Sequence, residues 1–185
     1  MANGTLKVSN IQTSSGSGTI TLGQSGETVS VPSGATINLS NATQTGVGGV
    51  NTPMVFVKLS GAQSITNATE TVVQFNTETF DTDSAFDTST YKFTVPSGKA
   101  GKYLVSAYCR RSNFDSARQF MYIMSGGGNY VFENGNGSVH ETVGGTILLN
   151  LSVGHEIYVK YYHNQGGSQS ISNDGTWLSI SKMIE

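Results

Sequence analysis

The chain has 185 residues, of which 12% are charged, with a formal net charge of −2 and a single cysteine. Its length allows one ordinary domain and an appendage. The near-neutral charge excludes a general electrostatic attraction to nucleic acid, and one cysteine excludes a disulfide within the chain. The first ten residues lack the basic and apolar regions of a secretion signal, so we do not expect one. No apolar run is long enough to span a membrane, so we do not expect a membrane-spanning segment.

Residues 1–50 contain one short phrase three times, as Thr19-Ile-Thr-Leu, Thr28-Val-Ser-Val and Thr36-Ile-Asn-Leu. Each copy places two apolar residues at positions i and i+2, on the same side of an extended segment. These six residues are Ile20, Leu22, Val29, Val31, Ile37 and Leu39. Two apolar residues per strand cannot bury a core, so the repeat needs copies of itself. We therefore predict a β-strand repeat stalk over residues 1–50, which ends in a glycine-rich hinge at 46–51.

Every aromatic residue lies at or beyond Phe56, so we predict a separate globular head over residues 51–185. Short apolar segments in the head alternate with Gly, Asn, Ser and Pro clusters, and no capped helical pattern occurs. Ten strands are expected at 54–59, 70–76, 90–95, 102–110, 118–124, 129–133, 138–142, 145–151, 155–163 and 176–183. The predicted fold is all-β, a sandwich or jelly roll.

Two of these strands are apolar on both faces. In 102–110, Leu104 and Tyr108 oppose the side that carries Tyr103 and Val105, and 155–163 shows the same pattern. A sandwich strand needs one apolar face for the core, so the second face requires a partner, most simply another subunit. The pattern predicts that the head forms oligomers.

The clearest candidates for ligand binding are polar loops of the head. All three arginines fall within nine residues, and they could bind the phosphate or carboxylate groups of a glycan. A solvated loop or an ion pair with the acidic run from Glu78 to Asp87 is the alternative interpretation. Aromatic rings beside amides also suit sugar recognition. The candidates for receptor binding are Arg110, Arg111, Asn113, Phe114, Arg118, Asn129, Tyr130, His163 and Gln165.

No motif for catalysis, a cofactor or a metal is found in the sequence. The acidic run lacks the glycine and the final glutamate of an EF-hand loop, so solvated turn carboxylates are expected. The histidines at 140, 155 and 163 lack metal-ligand spacing. Cys109 is expected to be a small buried hydrophobe. We therefore expect a non-enzymatic protein without cofactor.

The head resembles the globular head of the first complement component, a member of the tumour-necrosis-factor-like jelly-roll superfamily. The resemblance rests on phrases spread over residues 53–184. They are Pro53-Met-Val-Phe56, Phe75-Asn76, the run from Phe86 to Phe93-Thr-Val-Pro96, Gly101-Lys-Tyr103, the run from Leu148 to Gly154, and Thr176-Trp-Leu-Ser-Ile180. His155 departs from the acidic residue usual there. The collagen-like stalk of the animal proteins is absent, and threonine-rich repeats stand in its place.

The resemblance implies a homotrimer with aromatic residues packed around a threefold axis. Heads of this type on short stalks rich in Thr, Gly and Ser look like bacteriophage fibre and decoration proteins. The resulting hypothesis is a virion surface protein, assembled in the bacterial cytoplasm, whose stalk contacts other virion proteins and whose head binds a host glycan or protein. The alternatives are a capsid decoration or head-fibre protein, a polysaccharide depolymerase and, less favoured without a signal peptide, a secreted ligand.

Overall fold

The structure, a computed structural model, describes residues 11, 19–38, 51–112, 118–126, 128–134 and 142–183. The chain divides into two compact units, residues 1–47 and residues 48–185. Leu39, the hinge residues 46–50 and most of the expected strand 138–142 lie outside the described residues, as do Asn113 and Phe114.

In the first unit, residues 19–38 contain two tight turns. The Glu27 N–H donates to the Gln24 carbonyl at 3.0 Å, and the Ala35 N–H donates to the Pro32 carbonyl at 3.1 Å. Gly26 has a φ of 87°, a left-handed conformation that favours glycine. Residues 19–38 contain no strand in the single chain, so the β stalk, which needs neighbouring copies, stays a prediction. The described apolar repeat residues are 41–64% exposed, and they are Ile20, Leu22, Val29, Val31 and Ile37.

The second unit contains thirteen strands among its described residues. They are β1 (Met54–Lys58), β2 (Gln63–Ile65), β3 (Thr71–Val72), β4 (Thr77–Asp81), β5 (Phe86–Asp87), β6 (Lys92–Thr94), β7 (Gly101–Arg110), β8 (Gln119–Ser125), β9 (Gly128–Asn134), β10 (Thr142–Leu151), β11 (Glu156–His163), β12 (Gln169–Ile171) and β13 (Trp177–Lys182). No described residue is helical, which leaves no helix there that could cross a bilayer.

The strands form two main antiparallel sheets that pack as a jelly-roll sandwich. Sheet I has the order β10-β7-β13-β1-β4. Sheet II has the order β5-β6-β11-β8-β9, with β3 paired to β11, and a small sheet joins β12 to β2. The predicted all-β jelly roll is confirmed.

The core lies between the inner faces of sheets I and II. Side chains alternate along a strand, so Tyr103 and Val105 of β7 point inward together with Ile157 and Val159 of β11, and all four are fully buried. Each such burial contributes about 1.5–3 kcal/mol to the free energy of unfolding. The Tyr103 hydroxyl donates to the Lys99 carbonyl at 2.5 Å, which satisfies the polar end of this ring inside the core.

The long apolar strands match the sequence predictions, and the short polar ones do not. β1, β7, β8, β9, β11 and β13 lie within two residues of their expected bounds. The segments expected at 138–142 and 145–151 overlap a single strand, β10. β2, β4, β5 and β12 were not predicted, because they are short or polar and depend on pairing with distant strands.

Candidate binding surfaces

The outer face of sheet I carries a row of four aromatic rings, one on each of four adjacent strands. Phe80 of β4 lies 6.1 Å from Phe56 of β1, measured between ring centroids. Phe56 lies 5.7 Å from Trp177 of β13, and Trp177 lies 4.8 Å from Tyr108 of β7. The register explains the row, since Phe56 is opposite Phe80 and Trp177 is opposite Tyr108. We call these four rings the aromatic row.

Uncharged residues continue this face beside the aromatic row. Ser106 and Thr146 are directly opposite and share a hydrogen bond of 2.8 Å. Leu104 and Leu148 are also opposite each other, and they are 40% and 56% exposed. Two exposed lysines also lie on this face, since Lys58 is opposite Trp177 and Lys102 lies two residues before Leu104 on β7. Aromatic and aliphatic side chains are typical of the centre of a subunit interface. The second apolar face predicted for β7 is thus present in the structure.

Two glycines in β10 allow aromatic rings to approach this edge of the sandwich. A Cβ atom added at Gly144 would lie 2.5 Å from the Tyr108 ring, at the end of the aromatic row. A Cβ added at Gly145 would lie 2.0 Å from the ring of Phe132, a β9 residue. Only glycine leaves room at these positions without a shift of the ring or the strand. Phe132 therefore packs against the β10 backbone where the edges of the two sheets meet.

The outer face of sheet II has a different chemistry, in which aromatic rings alternate with ion pairs. Phe120 lies 6.2 Å from Tyr122 along β8 and 5.6 Å from Tyr162 of β11, measured between ring centroids. The guanidinium carbon of Arg118 lies 4.8 Å from the centroid of Phe120. Arg118 also pairs with the carboxylate of Glu133 on β9. We call this cluster of five residues the tyrosine face.

The predicted receptor-binding residues fall in several different places. Arg118 belongs to the tyrosine face, and Arg110 pairs with Asp174 at 2.7 Å. Asn129 is exposed, whereas Tyr130 packs partly against the core and the Gln165 side chain is half-buried. These residues lie on several different strands and loops.

Two of the predicted contact residues are buried. Arg111 is 3% exposed and forms an isolated bridge with Ile171. His163 is fully buried, and its Nε2 atom lies 3.1 Å from the Ile65 carbonyl oxygen. Both side chains lie below the surface of this structure, and their role in receptor binding stays a prediction.

The acidic run spans β4, β5 and the turn between them. The Asp81 carboxylate accepts from the Phe86 N–H at 2.7 Å, and Asp83 lies 3.5 Å from the Lys99 ammonium. Asp87 accepts from the Ser89 hydroxyl at 2.6 Å and from the Ser89 N–H at 2.8 Å. These hydrogen bonds hold the pKa of Asp87 at about 2, below its usual 3.8. Across the described residues, no group of three His, Cys, Asp or Glu side chains could hold a metal ion.

A shallow cleft of about 440 Å³ lies beside β2 and β3. Its lining is uncharged and rich in amides and hydroxyls, and consists of Leu59, Ser60, Gly61, Ala62, Gln63, Ser64, Thr71, Gln74 and Asn76. The Gln63 amide donates to the Val72 carbonyl and accepts from the Gln74 N–H, both at 2.8 Å. The Asn76 side chain accepts from the Ser60 N–H at 2.8 Å. These amides therefore hold the walls of the cleft together.

Most of the tyrosine face was not predicted from the sequence. Phe120, Tyr122 and Glu133 were not singled out, although the strands that carry them were predicted. The sequence contains a pattern that indicates this face, because Phe120 and Tyr122 occupy the positions of β8 that alternate with its buried residues. Residues from separate strands meet on this face only through the β8–β11 and β8–β9 pairings.

A jelly-roll sandwich with a row of aromatic rings on one outer face defines a class of small β modules suited to assembly. Residues 55–179 match the C1q domain family, and the chain belongs to that family. Its domains have the tumour-necrosis-factor-like fold and are generally trimeric, and they are typically non-enzymatic binding or structural modules.

Several solved structures share this fold at low sequence identity. PRD1 vertex protein P5 is 14% identical with a TM-score of 0.57, and the match covers 73% of this chain and 99% of that one. Murine APRIL at pH 8.0 is 16% identical with a TM-score of 0.52, covering 70% and 98%. The globular domain of zebrafish complement 1qA protein is 16% identical with a TM-score of 0.49, covering 70% and 95%. No curated protein matches the chain in sequence.

Proposed function

We propose that the chain is a structural protein of a bacteriophage virion, a trimeric fibre whose head binds the surface of a host cell. The observation that carries the proposal is the aromatic row, with the exposed Leu104 and Leu148 beside it, on a fold that is generally trimeric. The shared fold with PRD1 vertex protein P5 supports a place in a virion. The protein acts by binding and not by catalysis.

In this proposal the outer face of sheet I packs around a threefold axis. Leu104, Leu148 and the aromatic row leave water when three heads associate, and burial of apolar area is the main favourable term in such association. The outer face of sheet II then points away from the axis.

The N-terminal repeats assemble as a three-chain β stalk in the same proposal. Ile20, Val29 and Ile37 are exposed in the single chain, so neighbouring chains are the natural partners for their side chains. Three heads on one stalk multiply weak contacts, because each bound head raises the effective concentration of the others. The far end of the stalk contacts other virion proteins.

A capsid decoration or head-fibre protein is the second candidate function. The similarity to a vertex protein favours it, because that name describes a protein placed at the vertices of a particle. The same trimer would then have another virion protein as its main contact. The two candidates differ in the position of the protein on the particle.

Electron cryomicroscopy of the intact virion tests both candidates. We expect trimeric densities of this head on a thin stalk, at the tail or projecting from the capsid. Tail density supports the host-binding fibre, and density at capsid vertices or capsomer centres supports the decoration protein. Absence of the chain from purified virions, measured by mass spectrometry, would contradict both.

A further inference from the structure

The tyrosine face is arranged as a stack whose side chains support one another. Arg118 lies over one side of the Phe120 ring, and the Tyr122 ring lies 6.2 Å away at an angle of 27°. Tyr162, opposite Phe120 in register, meets that ring at 62°. Because the neighbours already restrict each side chain, little conformational entropy remains to be lost when a ligand binds.

Ion pairs surround these rings and balance their own charges. Arg118 pairs with Glu133, and Lys160, opposite Tyr122, pairs with Glu70 at 3.1 Å. Farther along the sheet, Lys92 pairs with Glu156 at 2.7 Å and lies 5.2 Å from the centroid of Tyr158. Three cations and three carboxylates leave these six residues with no net charge. Such a surface attracts neither an anionic glycan nor a cationic ligand over a distance.

The same groups offer hydrogen-bond donors and acceptors side by side. Arg118 and Lys160 donate, Glu133 and Glu70 accept, and a tyrosine hydroxyl does both. Burial, followed by the nearby carboxylate of Glu70, raises the pKa of Tyr122, so this hydroxyl stays protonated and able to donate at neutral pH. A sugar hydroxyl also donates one hydrogen bond and accepts others, so it needs both kinds of partner.

We propose that the tyrosine face of sheet II, together with Lys160 and Glu70, binds a neutral polysaccharide. This inference rests on the proposed host-binding function and assigns that function a surface and a ligand class. The exposed edges of Tyr122 and Tyr162 contact the apolar parts of the sugar rings, and the two ion pairs bind the hydroxyl groups. Three such faces point outward from one trimer and can bind repeats of a single long chain.

A protein partner fits this face less well than a sugar. Lysine and glutamate are depleted at the centre of protein interfaces, and here they lie between the rings. The outer face of sheet I is richer in aromatic and aliphatic residues, which include the aromatic row, Leu104 and Leu148. Two faces of the same head thus suit two different partners.

Affinity electrophoresis of the full chain tests the inference. The trimer is run in native gels that contain dextran, mannan, galactan or xylan as neutral probes, or alginate as an acidic one. We expect retardation in at least one neutral gel. The double variant Tyr122→Ala/Tyr162→Ala should weaken that binding by about tenfold or more, a large effect for two side chains. Tyr122→Phe keeps the ring and removes only the hydroxyl, and it should lose part of the affinity.

Val153→Ala is the matched control, because Val153 is 51% exposed and lies in the turn before β11. It should bind as the natural chain does. Sedimentation and thermal unfolding confirm that each variant is a folded trimer. Retardation only by alginate, or by none of the neutral probes, would overturn the inference. Binding that survives the double variant would also overturn it, but would leave the proposed host-binding fibre intact.

Discussion

Arg111 and His163 are polar residues that lie in the interior, because each continues the buried side of a strand. Arg111 follows Tyr103, Val105, Ala107 and Cys109 at every second position, and all four are fully buried. His163 follows Ile157, Val159 and Tyr161 in the same way. Alternation along a strand therefore outweighs the usual preference of a polar side chain for the surface. The sequence contained this signal, since both residues extend a regular apolar face.

Hydrogen bonds in one turn make the contribution of Asp87 to the stability of the fold depend on pH. Hydrogen bonds from Ser89 and Thr90 stabilise the carboxylate and hold its pKa at about 2. Because this value is below the ordinary 3.8, Asp87 stabilises the fold above pH 3.8, and that contribution is lost as the pH falls through about 2. Ser89→Ala should move the pKa toward 3.8, because the Ser89 hydroxyl is the largest contributor.

An NMR titration of the Asp87 carboxyl carbon measures this shift. Ser60→Ala, a change of another exposed serine, is the control and should leave the titration unchanged. An unaltered pKa in Ser89→Ala would mean that the backbone N–H groups of the turn are sufficient by themselves.

At the scale of elements, β9 and β10 close one side of the sandwich through Phe132 and Gly145. Any side chain at 145 would overlap the Phe132 ring, with the first added carbon 2.0 Å from it. We expect Gly145→Ala to lower the free energy of unfolding by about 1–3 kcal/mol, the usual cost of overpacking. Denaturant unfolding of the full chain measures the effect.

Gly61→Ala is the matched control for Gly145→Ala. No atom lies within 4 Å of a Cβ added at Gly61, so its stability should change by less than about 0.5 kcal/mol. Equal stability of the two variants would show that the Phe132 ring moves aside at little cost and does not close this edge.

For the whole molecule, one substitution on each outer face tests which face forms the trimer interface. Leu148 is 56% exposed on sheet I, and Val131 is 52% exposed on sheet II. Leu148→Glu places three carboxylates near the proposed threefold axis, where burial of unpaired charge is costly. We expect this variant to sediment as a monomer of 19.5 kDa, whereas Val131→Glu should remain a trimer. A Leu148→Glu trimer would contradict the assignment of the outer face of sheet I as the interface.

The sequence by itself determined the fold class, the long strands and the presence of a second apolar face. These features depend on local alternation, as in β7 and β11, and on phrases such as Phe93-Thr-Val-Pro96 that carry the family resemblance. The three-chain stalk stays a prediction, because the residues described at 19–38 form turns without strands in the single chain.

Only the tertiary structure decided which side chains meet. The aromatic row requires the order β4-β1-β13-β7, and the tyrosine face requires β9, β8 and β11 side by side. Phe56 and Trp177 are far apart in the chain, yet their rings lie 5.7 Å apart. Strand order and register arise from the packing of the whole core, so no local pattern specifies such a contact.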